Sequence, residues 1–264
     1  MDLASGCIGK TYTHPPSHPP VGRDRASLVV LLDNEVFRPG LMADWGLSIY
    51  VEAGWGPKVL MDTGGSFRKL VGNSEALGVE LGALDAIFIS HWHGDHCGAL
   101  ADVLNAIGGE VDVIVPRRPG WSMSRALARA GASVVEAGRP LEFLPGFYST
   151  GDLGGEHSLV VEVEGLGLII LTGCSHPGPA KIVSKAVEVF GGPAHALVGG
   201  LHISSYREGL ELGAFLSRAG LRLLCPCHCT GPMAKRGLQE AFKGEFMTCG
   251  SGRELEFGPG RGGG

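Results

Sequence analysis

The chain has 264 residues, enough for one large domain with a full core. Its formal charge of −5 and the lack of a Lys/Arg-rich stripe exclude nucleic acid as a favoured partner. No apolar run approaches the ~20 residues of a membrane helix, and 44 glycines with 19% charged residues suit a loop-rich α/β enzyme better than a helical bundle.

Residues 1–26 lack the charged-then-apolar order of a signal peptide, so the cytoplasm is the expected location. Within them, Thr13-His14-Pro15-Pro16-Ser17-His18-Pro19-Pro20 reads as an extended polyproline-like arm. The patterning predicts strands over 28–32, 47–52 and 58–61, then a helix over 66–77 with Ser66 as cap and Gly78 as stop. An apolar strand over 86–90 and a helix over 97–107 follow, then a strand over 111–115, a helix over 121–130 and a strand over 133–135. The second half repeats the plan, starting with a hairpin of strands 158–163 and 168–171. Helices are expected over 179–190, 206–219 and 232–241, and strands over 196–198, 222–225, 246–248 and 254–257. One domain over 27–257 is expected, with a Gly-rich tail over 258–264. Strands followed by helices, twice over, suit two sheets packed face to face with helices outside; periodicity alone allows a doubly wound sheet equally well.

The strand over 86–90 ends in His91-Trp92-His93-Gly94-Asp95-His96. Four side chains able to bind a metal lie within six residues, and neighbouring imidazoles repel when protonated and need partners when buried. His91 and His93, two apart, point the same way from an extended backbone. Asp95 and His96 follow a glycine-permitted turn and can bend back to a second position, seeding a two-metal site. Other reactive groups also follow apolar strands, in Thr172-Gly173-Cys174-Ser175-His176 and in Cys225-Pro226-Cys227-His228-Cys229. The latter stretch mimics a zinc knuckle, but alternate residues on a strand share one face, which puts His228 on the face opposite the three cysteines, so a tetrahedral cage from it alone is not expected.

These residues resemble the metallo-β-lactamase fold superfamily: His-x-His-x-Asp-His after a strand, preceded by Asp62-Thr63-Gly64. Leu31-Leu32-Asp33-Asn34, Gly46-Leu47-Ser48, Thr172-Gly173-Cys174-Ser175-His176-Pro177-Gly178, Gly199-Gly200-Leu201-His202 and His228-Cys229-Thr230-Gly231 follow in the order of one subgroup. That subgroup is similar to the archaeal dihydropterin aminobenzene ribofuranosyl phosphate synthases and their bacterial relatives, and the resemblance covers roughly 27–257. It implies a four-layer αββα sandwich.

The resemblance also implies the ligand sets: His91, His93 and His176 for one divalent metal, Asp95, His96 and His228 for a second. Zinc is expected, with iron or manganese also suited to these donors. Hydrolases of the superfamily carry a bridging Asp where this chain has Cys174, either a softer ligand or a small buried thiol. His176 is preferred to His157 as third ligand of the first trio, and His157 is assigned to the substrate pocket. Asp62 is expected to hold the other nitrogen of a ligating imidazole. Asp95 and His202 are the catalytic candidates. Asn34, Arg117 and Arg118 are the further candidate substrate contacts, and the amides of 173–178 are a possible phosphate cradle.

Three functions fit: a pterin transferase of methanopterin-type cofactor synthesis, a metal-dependent hydrolase of a small phosphate ester, and a metal-binding or redox-sensing protein using the Cys-rich strand. A small phosphorylated substrate is expected, with neither nucleic acid nor membrane as partner. The oligomeric state is left open.

Overall fold

Buried Ala26, Leu28 and Val30 alternate with half-exposed Ser27 and Val29, which gives strand β1 (Ala26–Leu32) one face for a core. The computed structural model in which this is seen describes residues 22–109 and 111–259; the polyproline-like arm and residues 260–264 of the expected tail lie outside them. β1 pairs antiparallel with β2 (Ser48–Ala53), and β2 with β3 (Lys58–Met61). Thereafter helical crossovers make the sheet parallel, as parallel pairing requires. α1 (Phe67–Leu77) leads to β4 (Ala86–Phe88), α2 (Gly94–Cys97) and α3 (Leu100–Ile107) to β5 (Asp112–Val115), and α4 (Trp121–Arg129) to β6 (Ser133–Glu136).

The second half follows the same logic. β7 (Leu141–Leu144), β8 (Phe147–Ser149), β9 (Leu159–Val163) and β10 (Gly167–Thr172) form an antiparallel meander. α5 (Pro179–Phe190), α6 (Tyr206–Arg218) and α7 (Pro232–Ala241) then alternate with parallel β11 (Ala194–Gly200), β12 (Leu223–Cys227) and β13 (Glu245–Phe246). β14 (Glu254–Phe257) crosses back to β1. The described residues thus form two sheets, ordered β14-β1-β2-β3-β4-β5-β6 and β13-β12-β11-β10-β9-β8-β7.

Three apolar clusters define the layers. Val30, Ile49 and Phe88 of the first sheet meet Phe147, Val161, Ile169 and Val198 of the second. On the other face of the first sheet, Leu60, Ile87 and Val113 pack on Leu70, Val103 and Leu104 of α1 and α3. Leu168, Ile170 and Leu197 pack likewise on Ile182, Leu216 and Leu238 of α5, α6 and α7. This is the four-layer αββα sandwich, and the doubly wound alternative is ruled out because the two sheets share a core. Phe88 points into the shared core and Ile87 into the helix layer, so the strand that delivers the histidine motif is clamped on both faces.

The largest departures from the predicted elements are these, beside a last parallel strand that ends at Phe246 rather than 248. The helix expected over 97–107 is two helices, α2 and α3, broken at Gly98, where a Cβ would come within 2.4 Å of the Gly94 carbonyl oxygen. β7 and β8 were not predicted, although Pro145-Gly146 between two short apolar runs is a hairpin signal. β12 runs on through Pro226, which lies beyond the two residues that β13 pairs with, where a missing N–H is tolerated.

Candidate metal centre

The site collects at strand ends. Asp62 follows β3, His91 follows β4, Cys174 and His176 follow β10, His202 follows β11 and His228 follows β12. Among the described residues, the non-glycine residues with positive φ are Asp62 (57°), Ser175 (64°), His202 (50°) and His228 (49°), all of them at these ends. Such backbone costs on the order of 1 kcal/mol or more per residue and persists where packing over-determines it, typically at functional sites.

Hydrogen bonds on one side of each ring decide what the other side offers. The buried Asp62 carboxylate accepts from the Ser90 amide (2.7 Å), the Ser90 hydroxyl (2.7 Å) and His96 Nδ1 (2.7 Å). Because the Ser90 proton goes to Asp62, Ser90 Oγ accepts from His91 Nδ1 at 2.9 Å. The buried Glu156 carboxylate accepts from His176 Nδ1 (2.6 Å), and Asn34 Oδ1 accepts from His228 Nδ1 (3.1 Å). The Asn34 amide is oriented by donating to the His228 carbonyl and by receiving the Gly46 N–H on Oδ1. Four imidazoles are therefore fixed with the proton on Nδ1 and the lone pair on Nε2.

Those lone pairs converge. His96 Nε2 and His228 Nε2 are 3.0 Å apart, and His91 Nε2 is 3.0 Å from His93 Nδ1. The His96 and His228 lone pairs, both fixed on Nε2, repel at that distance unless a cation lies with them, so these donors fit a metal. Ligand atoms of His91, His93 and His176 lie within 4.8 Å of one another, as do those of Asp95, His96 and His228. Cys174 belongs to both sides: it groups with His91 and His96, with His176 and His202, and with His228 and Cys229. Its Sγ is 3.3 Å from His96 Nε2. Mixed nitrogen, oxygen and sulfur donors suit zinc, with iron and manganese as alternatives.

Electrostatics follow burial. Burial and the neighbouring imidazoles push His91 well below the ordinary histidine range, and burial with His96 pushes His228 to about 4. Burial also acts to lower His96, but the Asp62 carboxylate more than offsets it and holds that ring above the ordinary range.

Several residues stand elsewhere than expected. His157 does not line the pocket: Nε2 donates to the Ile89 carbonyl (2.8 Å), Nδ1 accepts from Ser149 Oγ (2.7 Å), and the ring stacks on Phe88 at 4.0 Å. Asn34 holds His228 rather than facing a substrate. Arg118 pairs with Glu136 at the end of the β5–β6 pair. Arg117 lies across Gly155, where a Cβ would meet its guanidinium at 2.3 Å, and its carbonyl accepts from Trp92 Nε1. The amides of Cys174, Ser175 and His176 cradle no free phosphate because all three donate to Glu156 at 2.7–2.9 Å. His202 is exposed, its ring 4.6 Å from that of His176. Cys225 and Cys227 face the inter-sheet core, and the six described cysteines are free.

Sequence reasoning missed Ser90 and Glu156, and it grouped Cys229 with Cys225 and Cys227 rather than with Cys174 and His228, where the structure places it. Glu156 bridges to His91 and brings the chain before β9 onto the motif. Its carboxylate sits in a nest of three successive amides opened by the positive φ of Ser175. Glu156→Gln sets an NH2 group against donors and should cost roughly 2–4 kcal/mol of stability and about 10–100-fold in metal affinity. Denaturant unfolding and metal titration check this.

His157 gives a pH effect outside the cluster. Burial lowers its pKa from 6.5 to about 3. The unfolded chain therefore takes up a proton that the folded protein refuses. Stability from this residue is complete above pH 6.5 and falls, as pH drops toward about 3, by at most roughly 1.4 kcal/mol per unit. His157→Gln should flatten that acid limb in metal-free protein, read from unfolding curves at several pH values.

The sequence profile of the metallo-beta-lactamase superfamily matches residues 46–211, and the chain belongs to that superfamily. It is 24% identical over 263 aligned residues, 80% of this chain and 90% of the relative, to the 7,8-dihydropterin-6-methyl-4-(beta-D-ribofuranosyl)-aminobenzene-5'-phosphate synthase of Methanocaldococcus jannaschii. Among solved structures it is similar to a metal-dependent hydrolase of the beta-lactamase superfamily, with TM-score 0.72, 25% identity, and coverage of 88% of this chain and 99% of the other. A diphosphatase of the PhnP family shares the fold at TM-score 0.56 and 15% identity, over 88% of this chain and 97% of the other. No helix among the described residues is long and apolar enough to cross a membrane.

Proposed function

We propose that this metallo-β-lactamase-fold, metal-dependent enzyme is a transferase that joins a dihydropterin methyl pyrophosphate to an arylamine ribose phosphate. The observation that carries the reading is the similarity to the synthase along 80% of this chain and 90% of the relative. Three features of the site support it. Cys174 takes the hub that a carboxylate would hold in a site tuned to activate water. Trp45, exposed, sits 5.6 Å from the His228 ring and offers a face to a flat heterocycle. Arg117, exposed beside Gly155, is available to a phosphate.

In this reading His91, His93 and His176 hold one divalent ion and Asp95, His96 and His228 the other. Such ions supply Lewis-acid charge for a departing pyrophosphate. The amine nitrogen bonds to the methylene carbon as the carbon–oxygen bond to pyrophosphate breaks. Asp95, partly exposed beside the donors, orients the amine and takes its proton. His202, at the rim, contacts the pyrophosphate. Pyrophosphate release by the metal-loaded protein should require the arylamine ribose phosphate, measured with a coupled pyrophosphatase. The similarity to the metal-dependent hydrolase favours the second reading, hydrolysis of a small phosphate ester. Release of phosphate or pyrophosphate without the amine would replace the first reading with this one.

A further inference from the structure

We infer that Cys229 is a metal ligand, and that with Cys174 and His228 it gives the centre two thiolates and a preference for thiophilic ions such as zinc over manganese or magnesium. This rests on the reading of the cluster as a metal centre and goes beyond the two expected trios, neither of which includes Cys229.

Ligand atoms of Cys174, His228 and Cys229 lie within 4.8 Å of one another. The His228 ring is turned by Asn34 so that Nε2 faces into the cluster. The turn that presents Cys229 is pinned on both sides: the Leu201 amide donates to Thr230 Oγ1 (3.1 Å), and the Gly231 amide to the Ile203 carbonyl (2.9 Å). Gly200 leaves room for the thiol, since a Cβ there would lie 2.7 Å from Cys229 Sγ.

The other cysteines show what packing alone looks like. Cys225, Cys227 and Cys249 are built into the inter-sheet core and Cys97 into the helix layer. Cys174 and Cys229 belong to none of the three apolar clusters and stand among imidazoles instead. Cys229 is half-buried; its thiol reaches the Cys174 carbonyl only at 3.5 Å, and its sulfur is turned toward the donors that surround it, the Cys174 thiol and the His202 amide and ring. Two soft donors beside an imidazole match zinc, cobalt or cadmium, whereas hard ions prefer oxygen.

The test uses the full chain, reduced and stripped of metal, titrated with Co2+. Bound cobalt should bring thiolate-to-metal absorption in the near ultraviolet, and Cys229→Ser and Cys174→Ser should each remove about half of it. In the wild-type protein, which avoids any folding defect of the variants, Zn2+ should protect Cys229 from iodoacetamide, read by peptide mass spectrometry. Cobalt bound with the same absorption in Cys229→Ser, or Cys229 alkylated equally with and without Zn2+, would overturn this inference and leave a histidine–carboxylate centre standing. Failure of the wild-type protein to bind cobalt at all would overturn both.

Discussion

Asp62→Asn should cost the protein roughly 2–5 kcal/mol of stability and about 10–100-fold in metal affinity, although Asp62 stands behind the donors rather than among them. Asparagine tolerates the left-handed backbone that Asp62 adopts (φ 57°), so the chain path survives and the change is one of hydrogen bonding. One oxygen can still take the Ser90 amide. The new NH2 group falls where the other oxygen accepts from both the Ser90 hydroxyl and His96 Nδ1. His96 must then turn its Nδ1 lone pair toward the amide and carry its proton on Nε2, where the metal donor is needed. The Ser90 hydroxyl also loses its acceptor and with it the fixed role that holds His91. Unfolding curves and metal titration of the variant read both effects, and wild-type values in both would show that something other than Asp62 orients the rings.

His93→Ala should reduce turnover to background and empty the first trio while leaving the fold nearly intact. His93 is exposed, so its side chain adds little to the core. Its backbone carbonyl accepts from the His96 and Cys97 amides at the start of α2, and alanine keeps those bonds. What is lost is a donor 3.0 Å from His91 Nε2. Circular dichroism, metal stoichiometry and the coupled pyrophosphate assay separate these outcomes. Full activity with a full complement of metal would remove His91, His93 and His176 as a ligand set.

Features carried by contiguous sequence were readable in advance. The apolar run Ala86-Ile87-Phe88-Ile89-Ser90 leads into six residues with four donors, and the alternation at the start of β1 and the apolar runs of β9 and β10 mark buried strands without knowledge of their partners. Features that depend on distant backbone were not. Glu156 gains its role from amides 18 to 20 positions away, presented by a loop whose shape turns on the φ of Ser175. Cys229 meets Cys174 across 55 positions. His157 was misplaced because a histidine at a strand start looks the same whether it faces the cluster or stacks on Phe88. Arg117 and Arg118 read as one basic pair, but the parallel pairing of Val115 with Glu136 gives Arg118 a carboxylate partner and leaves Arg117 at the rim.

If tautomer-fixed imidazoles, a carboxylate and at least one thiol hold divalent metal, the purified protein must carry it. Elemental analysis of the protein purified without a polyhistidine tag tests it most directly. The expected result is about one to two equivalents of zinc, or of iron or manganese, per chain, lost on chelation and regained on reconstitution. Protein that carries no such metal and gains none on reconstitution would contradict it.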